Sequence, residues 1–496
     1  MSTANTVDDA GSHIALASDT PVRVVPSRPR YLSGDAAALP ISAVLVTLWV
    51  PLLAIAMRIA PIGTGNAAYI LAAGYAFVGP RQSIVALFLA WFFNVMNHGI
   101  APIAGYAAIL RHMVTACAFL AAVIHANPAR IRQTGMLVPA TGILCGFLVI
   151  HSLLFSQQLD ISLLKSISFA MTAMALVLSW ASLGERDRAL TQAFLFGMLG
   201  LIAVASLPFV ASPTGYFRNG RGFQGIQVHP QGFGPTMAVL AAVLISQSLT
   251  ERSVRLWKGG LVMLAMAWVY LSQARIGALA LVAGVSLGAV GETVRAWLSR
   301  RPTRNPVRRA RLVGLGSLAL LAVLVASPWI AESAWQFVTK GSKAESTVEA
   351  AFKSRGGKIE DMMLNIEQYP AWGTGFGVLA GEDYFALARD PIFGLPVMAT
   401  VEKGVLPLAI IEETGIVGAL FTYPWIFLLI TRSIRGGLVA GTVCAAVLIT
   451  NVAEANLFSP GGQGLFQLIC VTWAATTPPI AVPAAADGRT RRRLAA

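Results

Sequence analysis

The sequence predicts an all-α polytopic membrane protein, with about 12–14 transmembrane helices and one large extracytoplasmic loop that contains short helices. Hydrophobic residues make up 56% of the 496 residues and charged residues only 12%, whereas an ordinary soluble domain has about 25% charged residues. Apolar runs of about 18 residues or more recur along nearly the whole length, as transmembrane helices require. The runs are uninterrupted, whereas the strands of a membrane β-barrel would alternate over about ten residues.

Arginine-rich clusters between the apolar runs predict the orientation of the helices. With the N-terminus inside and the helices alternating, every cluster falls on the same side, as is typical of cytoplasmic loops. We therefore attribute the net charge of +14 to topology, and no basic face on a soluble domain favours nucleic-acid binding. Both termini are expected in the cytoplasm. The clusters are Gly79–Arg81, Ala129–Arg132, Glu185–Arg188, Glu251–Lys258, Arg295–Arg311, Arg432–Arg435 and Arg489–Arg493.

Composition divides the chain into five segments. The large loop has more acidic than basic side chains, whereas the rest of the chain is strongly basic. Within the loop, apolar residues recur at helical spacing from Ile359 to Ile366, which predicts a short amphipathic helix at the bilayer surface. The segments are a disordered cytoplasmic tail (1–40), a transmembrane bundle (41–330), the extracytoplasmic, or periplasmic, loop (331–404), C-terminal transmembrane helices (405–480) and a basic cytoplasmic tail (481–496).

A stretch rich in glycine and arginine, residues 218–234, joins two predicted helices on the outer side. Arg218 and Arg221 offer planar guanidinium groups suited to phosphate. His229 and Gln231 stand where the next helix begins, and a helix N-terminus favours anions. The alternative is a glycine-rich turn whose arginines meet lipid headgroups. The concentration of Arg, His and Gly in one short outer loop favours a binding site.

Two more arginines are candidates for phosphate binding. Arg275 lies in Ser272–Gly277, between two apolar runs at an outer membrane end. Its side chain either reaches lipid headgroups or lines a polar cavity. Arg355 precedes a second glycine-rich stretch, Pro370–Gly377, which does not follow a strand and is therefore interpreted as a shaped loop rather than a nucleotide-binding motif.

Carboxylates near the membrane surface are the candidates for acid–base chemistry. Glu402, next to Lys403, stands where the large loop meets the membrane, and a general base there would take a proton from a sugar hydroxyl. Glu412 and Glu413 enter an apolar run, where a carboxylate is costly unless it faces protein or water. For Glu413 the preferred interpretation is a salt bridge to a cation of the loop.

Three further polar residues lie at or within the apolar runs. Glu454 and Asn456 close the outer end of a predicted helix, and polarity at a helix end is the preferred interpretation of both. Arg111 lies inside an apolar run and therefore requires a partner, which the sequence does not identify.

These stretches, in this order, resemble the O-antigen ligase and polymerase family of bacterial integral-membrane glycosyltransferases. The resemblance covers roughly residue 218 to the end of the chain. One feature departs from the family pattern, because the usual loop histidine upstream of the glycine that matches Gly415 is absent, and Glu402 and Lys403 are the nearest polar residues. The matching positions are Arg221, Gly225, His229–Gln231, Gly234, Ser272, Arg275, Arg355, Pro370–Gly377, Glu412–Gly418 and Asn451–Phe458.

The resemblance implies an enzyme of the bacterial inner (plasma) membrane that makes exopolysaccharide or O-antigen. The donor would be a glycan linked to undecaprenyl diphosphate, and the acceptor another lipid-linked glycan or the lipid A core of lipopolysaccharide. A chain-length regulator and export proteins would be its partners. Because the loop histidine is missing, polymerisation is favoured over ligation. The outer loops contain no Asp-x-Asp motif, so we expect neither a metal ion nor a cofactor.

The family mechanism assigns roles to the candidate residues. Fixed cations would stabilise the departing diphosphate, Glu402 or His229 would activate the acceptor hydroxyl, and attack would invert the anomeric centre. A transporter or flippase of the lipid-linked oligosaccharide is the alternative, and it would place charges near mid-membrane and often show repeated halves. The residues expected to bind the diphosphate or the substrate are Arg218, Arg221, Arg275, Arg355, Gln231, Lys403 and Glu412.

Overall fold

The computed structural model describes residues 41–60, 64–102, 104–216, 220, 222–251, 255–298, 359–378 and 404–479. Regular structure in these ranges is helical, apart from two isolated β-bridges. The helices are α1 (Ile41–Ile59), α2 (Thr64–Ala76), α3 (Pro80–Val95), α4 (Ala107–Ile124), α5 (Pro128–Gln133), α6 (Leu137–Phe155), α7 (Leu159–Ser182), α8 (Glu185–Ala205), α9 (Pro230–Thr250), α10 (Leu256–Leu271), α11 (Arg275–Leu298), α12 (Leu406–Arg435), α13 (Leu438–Ala453) and α14 (Gln463–Thr476).

Seven of these helices are long and apolar enough to cross a membrane: α4, α6, α7, α8, α9, α11 and α12. Three shorter apolar helices, in α1, α10 and α13, accompany them. The predicted all-α polytopic membrane fold is therefore confirmed. Helical residues 359–368 also confirm the short helix predicted in the large loop. Both predicted tails, the apolar run at 312–330 and the rest of the large loop lie outside the described residues.

The helices differ in how much of their surface the bundle encloses. Helix α9 is the most enclosed of the candidate spans, with 83% of its apolar window buried. Helices α3 and α14 are also buried on nearly all sides, and Trp91 of α3 stacks on Phe466 of α14 with ring centroids 4.7 Å apart. Helix α6 instead exposes Ile143, Ile150 and Leu154, the pattern of a helix that faces lipid. Helix α9 thus leads from the bundle interior to the glycine-rich stretch.

The loops predicted to lie inside gather at one end of the bundle. Arg81 lies in the first turn of α3, and its Nη1 atom is 4.0 Å from Oδ1 of Asp187 at the start of α8. Arg130 of α5 donates from Nη1 to the backbone oxygen of Ser182 at 2.8 Å. Because these contacts join connections that the arginine pattern assigned to the same side, we call this region the basic end. It comprises the connections that contain residues 77–81, 125–136, 183–187 and 432–437, together with residues 291–295 of α11, where a Cβ at Gly291 would lie 3.1 Å from Ile434.

The loops predicted to lie outside gather at the opposite end, here called the glycine end. Asn97 Nδ2 donates to the backbone oxygen of Thr214 at 2.7 Å, and the backbone N–H of Gln157 donates to the backbone oxygen of Thr374 at 3.0 Å. The contacts at each end thus join connections that the arginine pattern assigned to one side, while the topology across a membrane and the side that faces the cytoplasm stay predictions. The glycine end comprises the described residues of 96–106, 156–158, 206–229, 272–274, 370–378 and 454–462.

Candidate functional site

The glycine-rich stretch packs directly against the corner that precedes Arg275. The backbone N–H of Phe223 donates to the backbone oxygen of Leu271 at 2.9 Å. A side chain at Gly234 would collide with Ser272, and a Cβ at Gly277 would lie 3.0 Å from the carbonyl carbon of Gly234. Because neither position has a side chain, the first turns of α9 and α11 approach each other closely. Two stretches about forty residues apart in the sequence are thereby joined.

Arg275 begins α11 at this contact and is half-buried. The turn before it is held by Ser272, whose Oγ donates to the backbone oxygen of Val269 at 2.8 Å and accepts from the backbone N–H of Ala274 at 3.3 Å. The backbone of Arg275 is therefore held in a fixed position beside the N-terminus of α9. This is the arrangement expected if Arg275 serves the same site as the glycine-rich stretch.

The other predicted cations lie outside the described residues. These cations are Arg218, Arg221, Arg355 and Lys403. The predicted general base Glu402 also lies outside the described residues. Their predicted roles in binding the diphosphate and in activating the acceptor stay predictions. His229, Gln231, Arg275 and Glu412 are the predicted site residues that the structure describes.

His229 caps α9, and Gln231 lies in the first turn of the helix. The Nδ1 atom of His229 accepts a hydrogen bond from the backbone N–H of Gln231 at 3.2 Å, and Pro230 occupies the first helical position, where its missing N–H does no harm. Burial lowers the pKa of His229 below the usual histidine value, since the charged ring loses hydration. A neutral ring that accepts at Nδ1 has its proton on Nε2. In this arrangement Nε2 donates hydrogen bonds rather than accepts protons.

A narrow polar cleft, with about 10 Å³ of space that water can enter, opens beside Gln231 between α9, α13 and α14. We call it the amide cleft, because four carboxamide side chains line it together with two threonines and one carboxylate. Groups of this kind bind neutral hydroxylated molecules through directed hydrogen bonds. The polar lining residues are Gln231, Thr236, Thr450, Glu454, Asn456, Gln463 and Gln467.

Asn451 holds the loop that forms one wall of the amide cleft. Its Oδ1 accepts from the backbone N–H groups of Asn456 at 3.0 Å and Leu457 at 2.8 Å. Its Nδ2 donates to Gln467 Oε1 at 2.9 Å and to the backbone oxygen of Val447 at 2.8 Å. The side chain is 1% exposed. Since all its hydrogen-bonding capacity is used, Asn451 fixes the wall of the cleft relative to α14.

Replacing Asn451 with leucine is expected to destabilise the fold. The backbone N–H of Leu457 loses its acceptor and Gln467 Oε1 loses a donor, while the N–H of Asn456 keeps only the backbone oxygen of Glu454 at 2.9 Å. Each buried group left unsatisfied costs about 1–3 kcal/mol, so the free energy of unfolding should fall by at least about 2 kcal/mol. Denaturant unfolding of the detergent-solubilised protein measures the change. Val452→Leu is the matched control, because Val452 follows on the same helix and is 51% exposed. Equal stability of the two variants would contradict the assigned role of Asn451.

Helix α12 is interrupted at Gly415, where the backbone has φ 65° and ψ −172°. The interruption leaves two carbonyl and two N–H groups without partners inside the helix. The glycine-rich stretch of the large loop, Pro370–Gly377, supplies those partners and is thereby hydrogen-bonded to residues on both sides of Gly415. The four bonds run from Thr374 N to Glu412 O at 2.9 Å, from Gly375 N to Glu413 O at 3.0 Å, from Ile416 N to Pro370 O at 2.9 Å and from Val417 N to Ala371 O at 3.2 Å.

The two glutamates before the interruption hold the same loop through their side chains. Glu412 Oε1 accepts from Asn365 Nδ2 at 2.8 Å, which ties it to the helical residues 359–368. Glu413 accepts from the backbone N–H of Gly377 at 2.7 Å and pairs with Lys165 Nζ at 3.2 Å. The predicted salt bridge of Glu413 is confirmed, but its partner lies on α7 and not in the loop. A helix residue packed underneath reaches the carboxylate more directly than a loop cation does.

The loop that follows α13 lies between the amide cleft and the site where the large loop packs on α12. Glu454 and Asn456 line the amide cleft. Ala455 and Phe458 line a second cleft, with about 20 Å³ of space that water can enter, whose wall includes Glu413. The loop after α13 therefore borders both the amide cleft and the part of the large loop that contains Phe376.

Two arginines, the half-buried Arg111 and the buried Arg58, fasten loops at the glycine end. Arg111 Nη1 donates to the backbone oxygen of Gly461 at 2.7 Å and lies 3.5 Å from Asn94 Oδ1, which identifies the partner that the sequence left open. Arg58 Nη1 donates to the backbone oxygen of Pro102 at 2.7 Å. Arg111 thereby holds the turn that leads into α14. Its partner is a backbone carbonyl group from a distant segment, and because every residue has such a group, no sequence pattern predicts the contact.

The amide cleft contains residues that sequence reasoning missed. Gln463 and Gln467 are four positions apart on an otherwise apolar helix, and this spacing, which places both on one face, was the available signal. Among the described residues, no three His, Cys, Asp or Glu side chains are grouped to hold a metal ion. No protein-family model matches the chain, and no curated protein matches it.

Proposed function

We propose that this protein is a metal-independent glycosyltransferase that extends or transfers glycans linked to undecaprenyl diphosphate at the outer face of the bacterial inner membrane. Polymerisation is favoured over ligation. The observation that supports the proposal is the convergence of distant sequence stretches at one end of the bundle. Gln231 and the Glu454–Asn456 loop line a narrow polar cleft there, and the corner before Arg275 packs on Gly234 of the same helix α9.

The chemistry requires two environments side by side. The acceptor hydroxyl gives its proton to a general base, for which Glu402 is the predicted residue, and its oxygen attacks the anomeric carbon of the donor. The new C–O bond forms as the bond to the diphosphate breaks, with its electron pair leaving on the phosphate oxygen. The growing negative charge needs fixed cations, for which Arg275 is the described candidate and Arg218, Arg221 and Arg355 are the others. The amides and hydroxyls of the cleft suit sugar hydroxyl groups. Direct attack in this arrangement inverts the anomeric centre.

Reconstitution tests the proposal. Purified protein in liposomes is supplied with an undecaprenyl-diphosphate-linked oligosaccharide, and the products are resolved by mass spectrometry. Longer glycans on the carrier are expected from a polymerase. Transfer to added lipid A core would indicate a ligase. Movement of the lipid-linked glycan between leaflets without a new glycosidic bond would contradict the proposal and favour the transporter.

A further inference from the structure

We infer that Arg111 binds the diphosphate of a second lipid-linked glycan, the acceptor, and that the buried Arg58 strengthens the positive potential there. This inference rests on the proposed function, and on polymerisation in particular. A polymerase joins two glycans that each carry a lipid diphosphate, so it needs cations for the acceptor carrier as well as for the donor. The described cation of the donor site is Arg275.

Arg111 is a charged residue of the apolar helix α4, and one edge of its guanidinium group is available to a ligand. Both of its hydrogen bonds use Nη1, to the backbone oxygen of Gly461 at 2.7 Å and to Asn94 Oδ1 at 3.5 Å. Nε and Nη2 have no hydrogen-bond partner among the described residues. These two nitrogens form the edge that holds a phosphate through two parallel hydrogen bonds.

The surroundings of that edge suit a ligand and not a counter-ion from the bundle. A Cβ at Gly461 would lie 3.1 Å from Nη2 of Arg111, so the absence of a side chain at Gly461 leaves room beside this nitrogen. The ion pairs of the described residues do not involve Arg111. A charge on a membrane helix is costly unless it meets polar groups or an opposite charge, and a bound diphosphate provides that opposite charge.

Arg58 adds a second positive charge from below the surface. Its side chain is 4% exposed, and it donates to the backbone oxygens of Pro102 at 2.7 Å and Ala101 at 3.3 Å. Tyr69 of α2 lies within electrostatic range of both guanidinium groups. Arg58, like Arg111, is absent from the ion pairs of the described ranges. Two positive charges in one region favour an anion there.

The position of Arg111 along α4 matches the height of a lipid headgroup. The helix begins at Ala107, at the glycine end, and Arg111 lies four residues further on, which is about 6 Å along the helix axis. Tyr106, directly before the helix, is 50% exposed, as is typical of aromatic residues at a membrane interface. The diphosphate of a lipid-linked glycan lies at this interface.

The start of α14 connects Arg111 to the donor side of the site. Gly461, which accepts from Arg111, precedes Gln463, and Gln463 packs against Gly232 in the first turn of α9. The same part of α9 packs on the corner before Arg275. Donor and acceptor are thus held at one end of the bundle by cations of different helices. The donor diphosphate departs beside Arg275, while the acceptor stays bonded to its own diphosphate at Arg111.

A single-transfer assay in liposomes tests Arg111→Gln. The donor is blocked at its accepting hydroxyl, and the acceptor has a methylene group in place of its anomeric oxygen, so that each compound has one role. The acceptor KM is expected to rise by about 10–100-fold, the effect of losing a charged hydrogen bond, with kcat and the donor KM unchanged. With an acceptor that lacks the diphosphate, the variant and the wild type should have equal KM values.

Two variants control for structural effects. Arg432→Gln is the matched control, because Arg432 is also a half-buried arginine that donates to backbone oxygens, those of Ala475 and Gln133, but at the basic end. Asn94→Ala removes the other donor to the backbone oxygen of Gly461, at 2.8 Å, and keeps the charge of Arg111. Both variants should have a near-normal acceptor KM. A purely structural role of Arg111 predicts the same rise in Asn94→Ala as in Arg111→Gln.

The outcomes separate the inference from the function on which it rests. Folded wild-type protein that forms no glycosidic bond overturns the proposed function. Active wild-type protein together with a folded Arg111→Gln variant of normal acceptor KM overturns the role of Arg111 alone. If Arg111→Gln does not fold, the wild type in phosphatidylglycerol nanodiscs is titrated with undecaprenyl diphosphate and weighed by native mass spectrometry. Two bound molecules per protein support the inference, and one overturns it, because the donor site alone accounts for one.

Discussion

Replacing Gly415 with alanine is expected to abolish the docking of the glycine-rich loop stretch and to destabilise the protein strongly. The backbone of Gly415 occupies a region that essentially only glycine adopts, and forcing another residue into it costs about 1–3 kcal/mol. The added Cβ would also collide with the backbone oxygen of Ala371 and lie 2.5 Å from the backbone nitrogen of Trp372. Displacing the loop breaks the four backbone hydrogen bonds across the interruption of α12, at about 1 kcal/mol each.

The expected loss for Gly415→Ala is about 5 kcal/mol in the free energy of unfolding, which is a large part of the total for most proteins. Thermal unfolding in detergent and the yield of monodisperse protein measure it. Gly146→Ala on α6 is the matched control, because a Cβ at Gly146 meets nothing within 4 Å and alanine favours the helix. If the two variants are equally stable, the interruption at Gly415 does not depend on glycine.

The helices themselves could be predicted from the sequence, because a helix that crosses lipid requires a long apolar run, and such runs are easily recognised by their hydropathy. Their ends were less predictable. The apolar run at residues 189–210, which hydropathy predicts as a span, overlaps α8 without matching its ends, since α8 begins at Glu185 and ends at Ala205. Hydropathy detects the apolar part of a helix, but the polar first turn, with Glu185 and Asp187, belongs to the helix because acidic side chains stabilise its N-terminus.

The site was predictable only in outline. The glycine-rich stretches and the glutamates before Gly415 were recognised, since rare residue types stand out in an apolar chain. The pairing of Pro370–Gly377 with the interruption of α12 was not, because it depends on backbone groups that every residue possesses. The amide cleft combines side chains of three helices, of which Gln467 and Thr236 look like ordinary polar residues of a bundle when read singly.

Replacing Arg275 with alanine is expected to reduce glycan transfer by about 10²–10³-fold, the usual effect of removing one fixed group that stabilises developing charge. Arg275 starts from the backbone corner packed on the first turn of α9, where the close contact of Gly234 and Gly277 fixes its position. The transfer rate of Arg275→Lys should lie between those of the wild type and Arg275→Ala, since lysine keeps the charge but loses the planar fork that matches a phosphate. Turnover of the lipid-linked donor in liposomes is the measurement.

Arg295→Ala separates a specific role from a general effect of lost positive charge. Arg295 lies on the same helix α11 but at the basic end, where it pairs with Glu292. A donor-binding role for Arg275 predicts loss of transfer in Arg275→Ala and normal transfer in Arg295→Ala, with both proteins folded. A headgroup contact predicts no loss in either, because snorkelling arginines contribute to membrane anchoring and not to the reaction. Near-normal transfer by a folded Arg275→Ala variant would therefore assign Arg275 to the lipid surface and remove it from the diphosphate site.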